Sequence, residues 1–375
     1  MSSLRRVSTL IEAMESDASP PTAVLFTDLA DIRWLTGFTG SNAWLLVRSD
    51  EQFLFTDGRY VAQAGDEIAS VGGIASVVPC TSGATMSQSV QASLRRDDRV
   101  WFQSSSLTVA TYRALTAASS LSDVFVPAPS TLSRIRRIKD PEEVVLIEKA
   151  CRIADQALAD ALHTTEALDG GRCTERDLRD ELDHRMRRLG ADGPSYDTIV
   201  ATGPRNSALP HHRPDDTLIE NGHSLVIDVG ALVSGYHSDM TRSYIVGEGS
   251  PEQFEWYGLV LESHCAGVAA IEAGVPASEI HATCASVFDR DGLAQFYVHG
   301  TGHGVGLVIH EEPFLNSTSN AVLLAGEVVT VEPGLYRGGF GGFRVEDLVL
   351  VTETGCRPLN TSAKEPTCPP SPPTT

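Results

Sequence analysis

The chain has 375 residues, 42% of them apolar and 21% charged, which excludes a wholly disordered or fibrous protein and leaves room for two domains. Aspartate and glutamate outnumber lysine and arginine by 49 to 29, a formal net charge of -20. That excess repels phosphate backbones and anionic lipid surfaces, so neither nucleic acid nor membrane is expected as a partner.

The N-terminus carries Arg5 and Arg6, but the following Val7 to Asp17 is interrupted by Glu12 and Glu15 and does not read as the apolar core of a signal peptide. No later run of about 18 apolar residues spans a bilayer. The seven cysteines (80, 151, 173, 265, 284, 356 and 368) are scattered and never spaced C-x-x-C. A reducing cytoplasm is the expected location.

Short β-type runs at Ala23 to Phe26, Ala43 to Val47, Gln52 to Phe55 and Val100 to Phe102 alternate with helix-like stretches, so residues 1–132 are expected to form an α/β domain. A Pro/Ser stretch followed by a basic cluster between Val124 and Asp140 marks the boundary. The second domain, 133–360, opens with a helix: Asp140 caps it, Pro141 fills its first turn, and Glu142 and Glu143 face the positive dipole end. Val144, Ile147, Cys151, Ala154, Leu158 and Leu162 recur at helical spacing and form its buried face. Further helices are expected at about 174–189 and 251–271, and strands at 224–230, 239–246, 327–332 and 343–351. The pattern predicts an α+β domain with a mostly antiparallel sheet. Residues 361–375 hold five prolines and no periodicity, and are expected to be disordered.

The informative residues are acids on those strands. Asp228 interrupts the apolar run from Ser224, sharing a face with Val226 opposite Leu225, Ile227 and Val229. Asp239 follows after the turn signal Ser234-Gly235-Tyr236, and a hairpin would bring the two together. Glu332 ends a similar run, and Arg344, Glu346, Leu348 and Leu350 share one strand face. A buried carboxylate costs several kcal/mol unless paired or metal-bound. Four of them are most simply held by clustered hard cations, and an added imidazole shifts the choice toward manganese, iron, cobalt or zinc.

That imidazole comes from a segment holding His299, His303 and His310, three of the eleven histidines in twelve residues, among glycines that let backbone approach a ligand closely. His211 and His212 sit in a turn-like stretch beginning at Asn206.

These pieces resemble a known family. Tyr196 to His211, Ile227-Asp-Val-Gly, Ser238-Asp-Met-Thr-Arg, His299-Gly-Thr-Gly-His303, Val331-Glu-Pro-Gly-Leu-Tyr and Arg344-Val-Glu-Asp are similar to motifs of the pita-bread metallopeptidases: methionine aminopeptidase, prolidase and aminopeptidase P. Residues Asp31 to Asn42 and Thr56-Asp-Gly-Arg-Tyr resemble the creatinase-type N-terminal domain of the proline-directed branch.

The resemblance implies that Asp228, Asp239, His303, Glu332 and Glu346 bind two divalent metal ions, with Mn2+ expected and Co2+ or Zn2+ as alternatives. It implies His211 near the scissile bond, His310 stabilising the tetrahedral intermediate, His299 beside the prolyl side, Arg344 holding neighbouring carboxylates, and Glu332 as proton shuttle. The expected substrate is a dipeptide or longer peptide with proline at the second position, and the expected assembly a homodimer. Val308 departs from the family, where many relatives carry Asp. The same architecture resembles creatinase, an amidinohydrolase working without metal, and non-enzymatic binding proteins. Both have lost acidic ligands that are all retained here.

Overall fold

Arg136 and Arg137 are neighbours in sequence, yet the first bonds to Asp31 and the second to Glu327. The chain of this computed structural model divides at that point into two units, Met1–Arg136 and Arg137–Thr375, a few residues beyond the boundary expected at 132/133. The structure describes residues 3–117, 123–129, 132–164 and 172–368.

The first unit begins with helix α1 (Ser3–Glu15), where Val7, Leu10 and Met14 at helical spacing are buried. This segment is thus an amphipathic helix. Strands β1 (Ala23–Phe26), β2 (Ala43–Val47), β3 (Gln52–Asp57), β4 (Ser76–Cys80), β5 (Val100–Phe102) and β6 (Phe125–Pro127) form one sheet in the order β4-β3-β2-β1-β5-β6. Pairing is antiparallel from β1 through β2 to β3, and parallel at β3–β4, β1–β5 and β5–β6. Helices α2 (Leu29–Thr36), α3 (Val61–Ser70), α4 (Gly83–Ala92) and α5 (Val109–Leu115) connect the strands.

The second unit opens with α6 (Pro141–Thr164). Asp140 accepts from the main-chain N–H groups of Glu142 and Glu143, and the Glu143 carboxylate accepts from Asp140 N–H in return. Two orphan donors of the first turn are satisfied reciprocally. The predicted apolar face of α6 is buried throughout. Helix α7 (Glu175–Arg188) is capped the same way by Thr174 and Asp177. The strands β7 (Gly193–Pro194) and β8 (Ile199–Thr202) follow, then the short α8 (Gly203–Asn206). Next come β9 (Ser224–Asp228), β10 (Ala231–Val233), β11 (Tyr236–His237) and β12 (Thr241–Val246). Helices α9 (Pro251–Ala270) and α10 (Ala277–Arg290) precede β13 (Gly302–Gly304), β14 (Glu311–Leu315), β15 (Val328–Val331), β16 (Gly334–Arg337), β17 (Gly341–Arg344), β18 (Asp347–Thr352), β19 (Gly355–Pro358) and β20 (Thr367–Cys368).

These strands make four sheets, in orders β11-β10-β7, β20-β12-β9-β8, β14-β13-β15-β18-β19 and β16-β17. Among the described residues every pairing of this unit is antiparallel except β12 with β20. Leu225, Ile227 and Val229 point into a core with α6 and α7, while Val226 packs with Ile199 and Ala201 on the opposite face. Asp228 keeps the side predicted by period-two geometry.

The chain between Asp228 and Asp239 does turn back on itself: β9 and β12 pair antiparallel with Thr241 opposite Asp228, and the residues between them fold as a further β10–β11 hairpin. Its turn takes positive φ at Ser234 (47°) and Gly235 (77°), matching the twist of a two-residue hairpin. Two other expectations need correction. The run 343–351 is not one strand. Val345 N–H turns to Pro333 O and Glu346 N–H to Thr241 O, so β17 ends in one sheet and β18 begins in another. Finally, residues 361–368 are not disordered. Asp155 accepts hydrogen bonds from Thr361 and Ser362, and β20 pairs with β12. The rest of the tail, 369–375, lies outside the described residues.

Candidate active site

One cleft of about 540 Å³ in the second unit is lined by all nine residues singled out from the sequence: His211, Asp228, Asp239, His299, His303, His310, Glu332, Arg344 and Glu346. Different elements deliver them. Asp228 ends β9, Asp239 leads into β12, His303 is central in β13, Glu332 follows β15, and Arg344 and Glu346 flank the crossing from β17 to β18.

The site of His303 depends on its neighbours. A Cβ on Gly302 would lie 2.0 Å from Thr330 O, and one on Gly304 would lie 2.4 Å from Glu312 O. Only glycine lets β13 approach both flanking strands this closely. His303 Nδ1 lies 3.1 Å from Gly304 O, to which it donates. Nε2 is therefore left with a lone pair, 3.6 Å from Asp239 and 3.4 Å from Glu332.

Asp239, His303 and Glu346 are buried together, with ligand atoms within 4.8 Å of one another. Burial, followed by repulsion from Asp228 and Glu332, pushes the Asp239 carboxyl well above the usual carboxylate range. Burial and then Asp239, Glu332 and Asp228 do the same to Glu346. Carboxylates that repel each other in a dry wall, beside an imidazole with a free lone pair, are the donor set of a hard divalent cation. The residues present fit such an ion.

Charge within the protein compensates only part of this excess. Arg344, 3% exposed, places Nη2 2.6 Å from Asp228 Oδ2, and donates through Nε to Thr241 Oγ1 at 2.8 Å and through Nη1 to Tyr336 OH at 2.7 Å. Burial works against its charge, but Tyr336, Asp228 and Glu346 outweigh it and keep it protonated. Thr241 Oγ1 passes its own hydrogen to Glu346 Oε2 at 2.6 Å.

Sequence reasoning gave no role to Tyr196, although it lay in a quoted motif. Its hydroxyl donates to Asp239 Oδ1 at 2.5 Å and also bonds to Asp228 Oδ1. Burial, then those two acids, raise its pKa well above that of a free phenol, so the proton stays in place. Tyr336, Thr241 and Glu175 were missed as well. Glu175 is fully buried and accepts from Thr202 N–H, Asn206 Nδ2 and Asp215 N–H. It also lies 2.6 Å from His212 Nε2. His212 is thereby occupied, while the adjacent His211 stays exposed along the cleft.

The His299 ring lies 3.1 Å through Nε2 from Tyr336 OH, and burial lowers its pKa. His310 stands edge-on to His303 with ring centroids 4.4 Å apart, and partial burial, followed by the neighbouring His303, lowers its pKa too. At Val308 the main-chain carbonyl accepts from Gly306 N–H at 3.1 Å.

Known proteins resemble the chain over most of its length. Residues 145–353 match the metallopeptidase family M24, and residues 6–138 match the creatinase/prolidase N-terminal domain. The chain is 37% identical over 347 residues to the uncharacterized peptidase YqhT of Bacillus subtilis, covering 91% of this chain and 94% of that one. It is 40% identical over 241 residues to the Xaa-Pro dipeptidase of Pyrococcus furiosus, covering 64% and 68%. Among solved structures, an Xaa-Pro dipeptidase from Bacillus anthracis superposes with a TM-score of 0.88 at 32% identity, covering 97% of this chain and 99% of that one. The chain belongs to metallopeptidase family M24, its pita-bread catalytic domain preceded by a domain of the creatinase and prolidase N-terminal type.

Proposed function

We propose that the protein releases the first residue of peptides carrying proline at the second position, with two divalent ions, Mn2+ in the active form, held by Asp228, Asp239, His303, Glu332 and Glu346. The observation that carries this is the convergence of four carboxylates and the free Nε2 of His303 on one cleft. Divalent ions bound there would polarise the peptide carbonyl and lower the pKa of a water.

The residues of the chain do the rest. Glu332 borders the cleft and takes the proton of the attacking water, then returns it to the leaving nitrogen. His310 donates to the developing oxyanion, and His211 stands at the scissile bond. His299, fixed by Gly300 O and Tyr336 OH, flanks the prolyl ring. Arg344 keeps Asp228 oriented. Proline's nitrogen is a tertiary amide with no N–H, so a pocket that does not depend on that donor is needed. The Pyrococcus furiosus and B. anthracis relatives are Xaa-Pro dipeptidases, which supports the choice of bond.

The reading includes a cytoplasmic homodimer. Among the described residues no helix is long and apolar enough to cross a membrane. Cys80, Cys151, Cys173, Cys265, Cys284 and Cys356 are free thiols, which supports a reducing compartment. The dimer rests on the two-domain layout shared with the relatives, and light scattering tests it.

Turnover of Ala-Pro, Ala-Pro-Ala, Ala-Ala-Ala, Met-Ala-Ala, N-acetylated Ala-Pro-Ala and creatine tests the whole assignment. Cleavage of the first two is expected, with little of the others. Ala-Pro alone indicates a dipeptidase, and preference for Ala-Pro-Ala an aminopeptidase. Efficient cleavage of Met-Ala-Ala with neither prolyl peptide touched would overturn the proline assignment, and turnover of creatine would indicate the amidinohydrolase instead.

A further inference from the structure

Residues 361–368 lie beyond the span matched by the metallopeptidase family, yet they are bonded into the back of the strands that carry the metal-ligand candidates. Asp155 on α6 starts the attachment: it accepts from Thr361 N–H at 2.7 Å, Thr361 Oγ1 at 2.8 Å and Ser362 Oγ at 2.9 Å. Ser362 O then accepts from Arg242 Nη2 at 2.9 Å and Nε at 3.2 Å. Lys364 Nζ lies 2.6 Å from Asp347 Oδ2. Ile245 N–H donates to Pro366 O at 2.6 Å, and β20 continues as a parallel partner of β12.

The tail's contacts converge on Arg242, which is 1% exposed. Its Nη1 donates to Glu346 O at 2.6 Å and Thr241 O at 2.9 Å, and its Nη2 to Asp347 Oδ1 at 2.7 Å. Thr241 O in turn accepts from Glu346 N–H, and Thr241 Oγ1 donates to the Glu346 carboxylate. One buried guanidinium therefore links the tail to both main-chain groups of Glu346. Asp347, next to Glu346, is held between Arg242 and Lys364, with 2% of its side chain exposed.

We propose that segment 361–368 is a positioning element of the metal site, fixing Arg242 and Asp347 and, through them, the orientation of Glu346 and Thr241. The inference rests on Glu346 being a metal ligand, as read above. Removing the segment leaves two N–H groups of Arg242 without an acceptor and takes one of two cations from Asp347. Buried groups that lose their partners do not hold their geometry. Partners that orient a ligand from behind govern metal affinity by roughly 10- to 100-fold.

The test compares full-length protein with chains ending after Asn360 or after Cys368, and with Lys364→Met and Lys364→Arg. Mn2+ affinity of each metal-free protein is measured by calorimetric titration, with far-UV circular dichroism for folding and with KM and kcat on Ala-Pro at saturating Mn2+. The chain ending at Asn360 should bind Mn2+ about 10- to 100-fold more weakly, while KM changes little and the chain ending at Cys368 behaves as full length. A synthetic peptide spanning 361–375, added in trans, should restore affinity. Lys364→Met should weaken binding and Lys364→Arg should retain it. Wild-type Mn2+ affinity in a folded chain ending at Asn360 would overturn the proposal. If that chain does not fold, Asp155→Asn and Lys364→Met carry the same reading, and wild-type affinity in both overturns it. Full-length protein that binds no divalent ion would overturn the metal reading itself, and this proposal with it.

Discussion

Arg344 and Asp228 meet at 2.6 Å in the cleft wall, 116 residues apart in sequence, with 4% and 13% of their side chains exposed. The same guanidinium also holds Thr241, Tyr336 and the main-chain carbonyl of Pro210. It joins the loop bearing His211 to the carboxylate cluster.

Lysine cannot replace this fork, because a single ammonium reaches one acceptor direction where Arg344 covers several. Arg344→Lys should lower kcat/KM on Ala-Pro by about 10- to 100-fold, with weaker Mn2+ binding. Steady-state kinetics at several Mn2+ concentrations checks both. A variant with unchanged kcat/KM would remove Arg344 from the site.

Tyr196 gives a cleaner substitution. Phenylalanine keeps the ring and removes only the hydroxyl shared by Asp228 and Asp239. Tyr196→Phe should leave the fold intact and weaken Mn2+ affinity by roughly tenfold, since the two carboxylates lose the donor that aligns them. Calorimetric titration reads this directly.

Why Tyr196 escaped the sequence reading while Asp228 did not is a matter of range. An acid within an apolar strand violates a local pattern, so Asp228 and Glu332 declare themselves from their own neighbours, and the glycines around His303 advertise a close approach. A tyrosine between a turn and a strand breaks no local rule. Its role exists only because β8 and β9 pair and bring position 196 beside 228 and 239. Thr241 and Arg242 are equally silent, since their partners at 346, 347 and 362 arrive through other sheets. The tail misled for a related reason. Its prolines and lack of periodicity deny it a helix, but they do not prevent main-chain carbonyls at Ser362 and Pro366 from serving buried donors.

His310 borders the cleft beside His303, and it is assigned to the transition state rather than to ground-state binding. His310→Ala should therefore lower kcat by about 10²-fold or more with KM nearly unchanged. An equal kcat with raised KM would reassign the residue to substrate binding.

Thiol chemistry follows burial. Cys265 is exposed, whereas Cys151, Cys173 and Cys284 are buried. Burial drives the Cys151 thiol well above its ordinary range, and burial pushes Cys173 and Cys284 up to about 11. Only the thiolate alkylates readily. Iodoacetamide on native protein at neutral pH should label Cys265 first among these four and reach the others only after denaturation, as peptide mapping would show. Native labelling of Cys284 ahead of Cys265 would contradict the packing.

The last prediction separates charge from shape at Asp239. Its Oδ1 accepts from Tyr196 and its Oδ2 faces His303 Nε2, so asparagine fits the space while removing one negative charge from the cluster. In the metal-free protein that charge is unfavourable, because burial and then Asp228 and Glu332 all oppose it. Metal-free Asp239→Asn should accordingly melt at or above the temperature of metal-free wild type. Adding Mn2+ reverses the order: an ion bound only by the folded state at a hundred times its dissociation constant stabilises it by about 2.7 kcal/mol, and the variant forfeits most of that gain along with a donor the ions require. Activity should fall by about a thousandfold or more, since loss of polarisation and of the activated water removes several kcal/mol from the barrier reduction. Chelation of the wild type should reproduce the loss, and restored Mn2+ should reverse it in the wild type but not in the variant. Thermal melts of both proteins with and without Mn2+, run beside the Ala-Pro assay, decide the matter: a variant that Mn2+ stabilises as much as wild type, or chelated wild type that keeps its activity, would remove Asp239 and the metals from the mechanism.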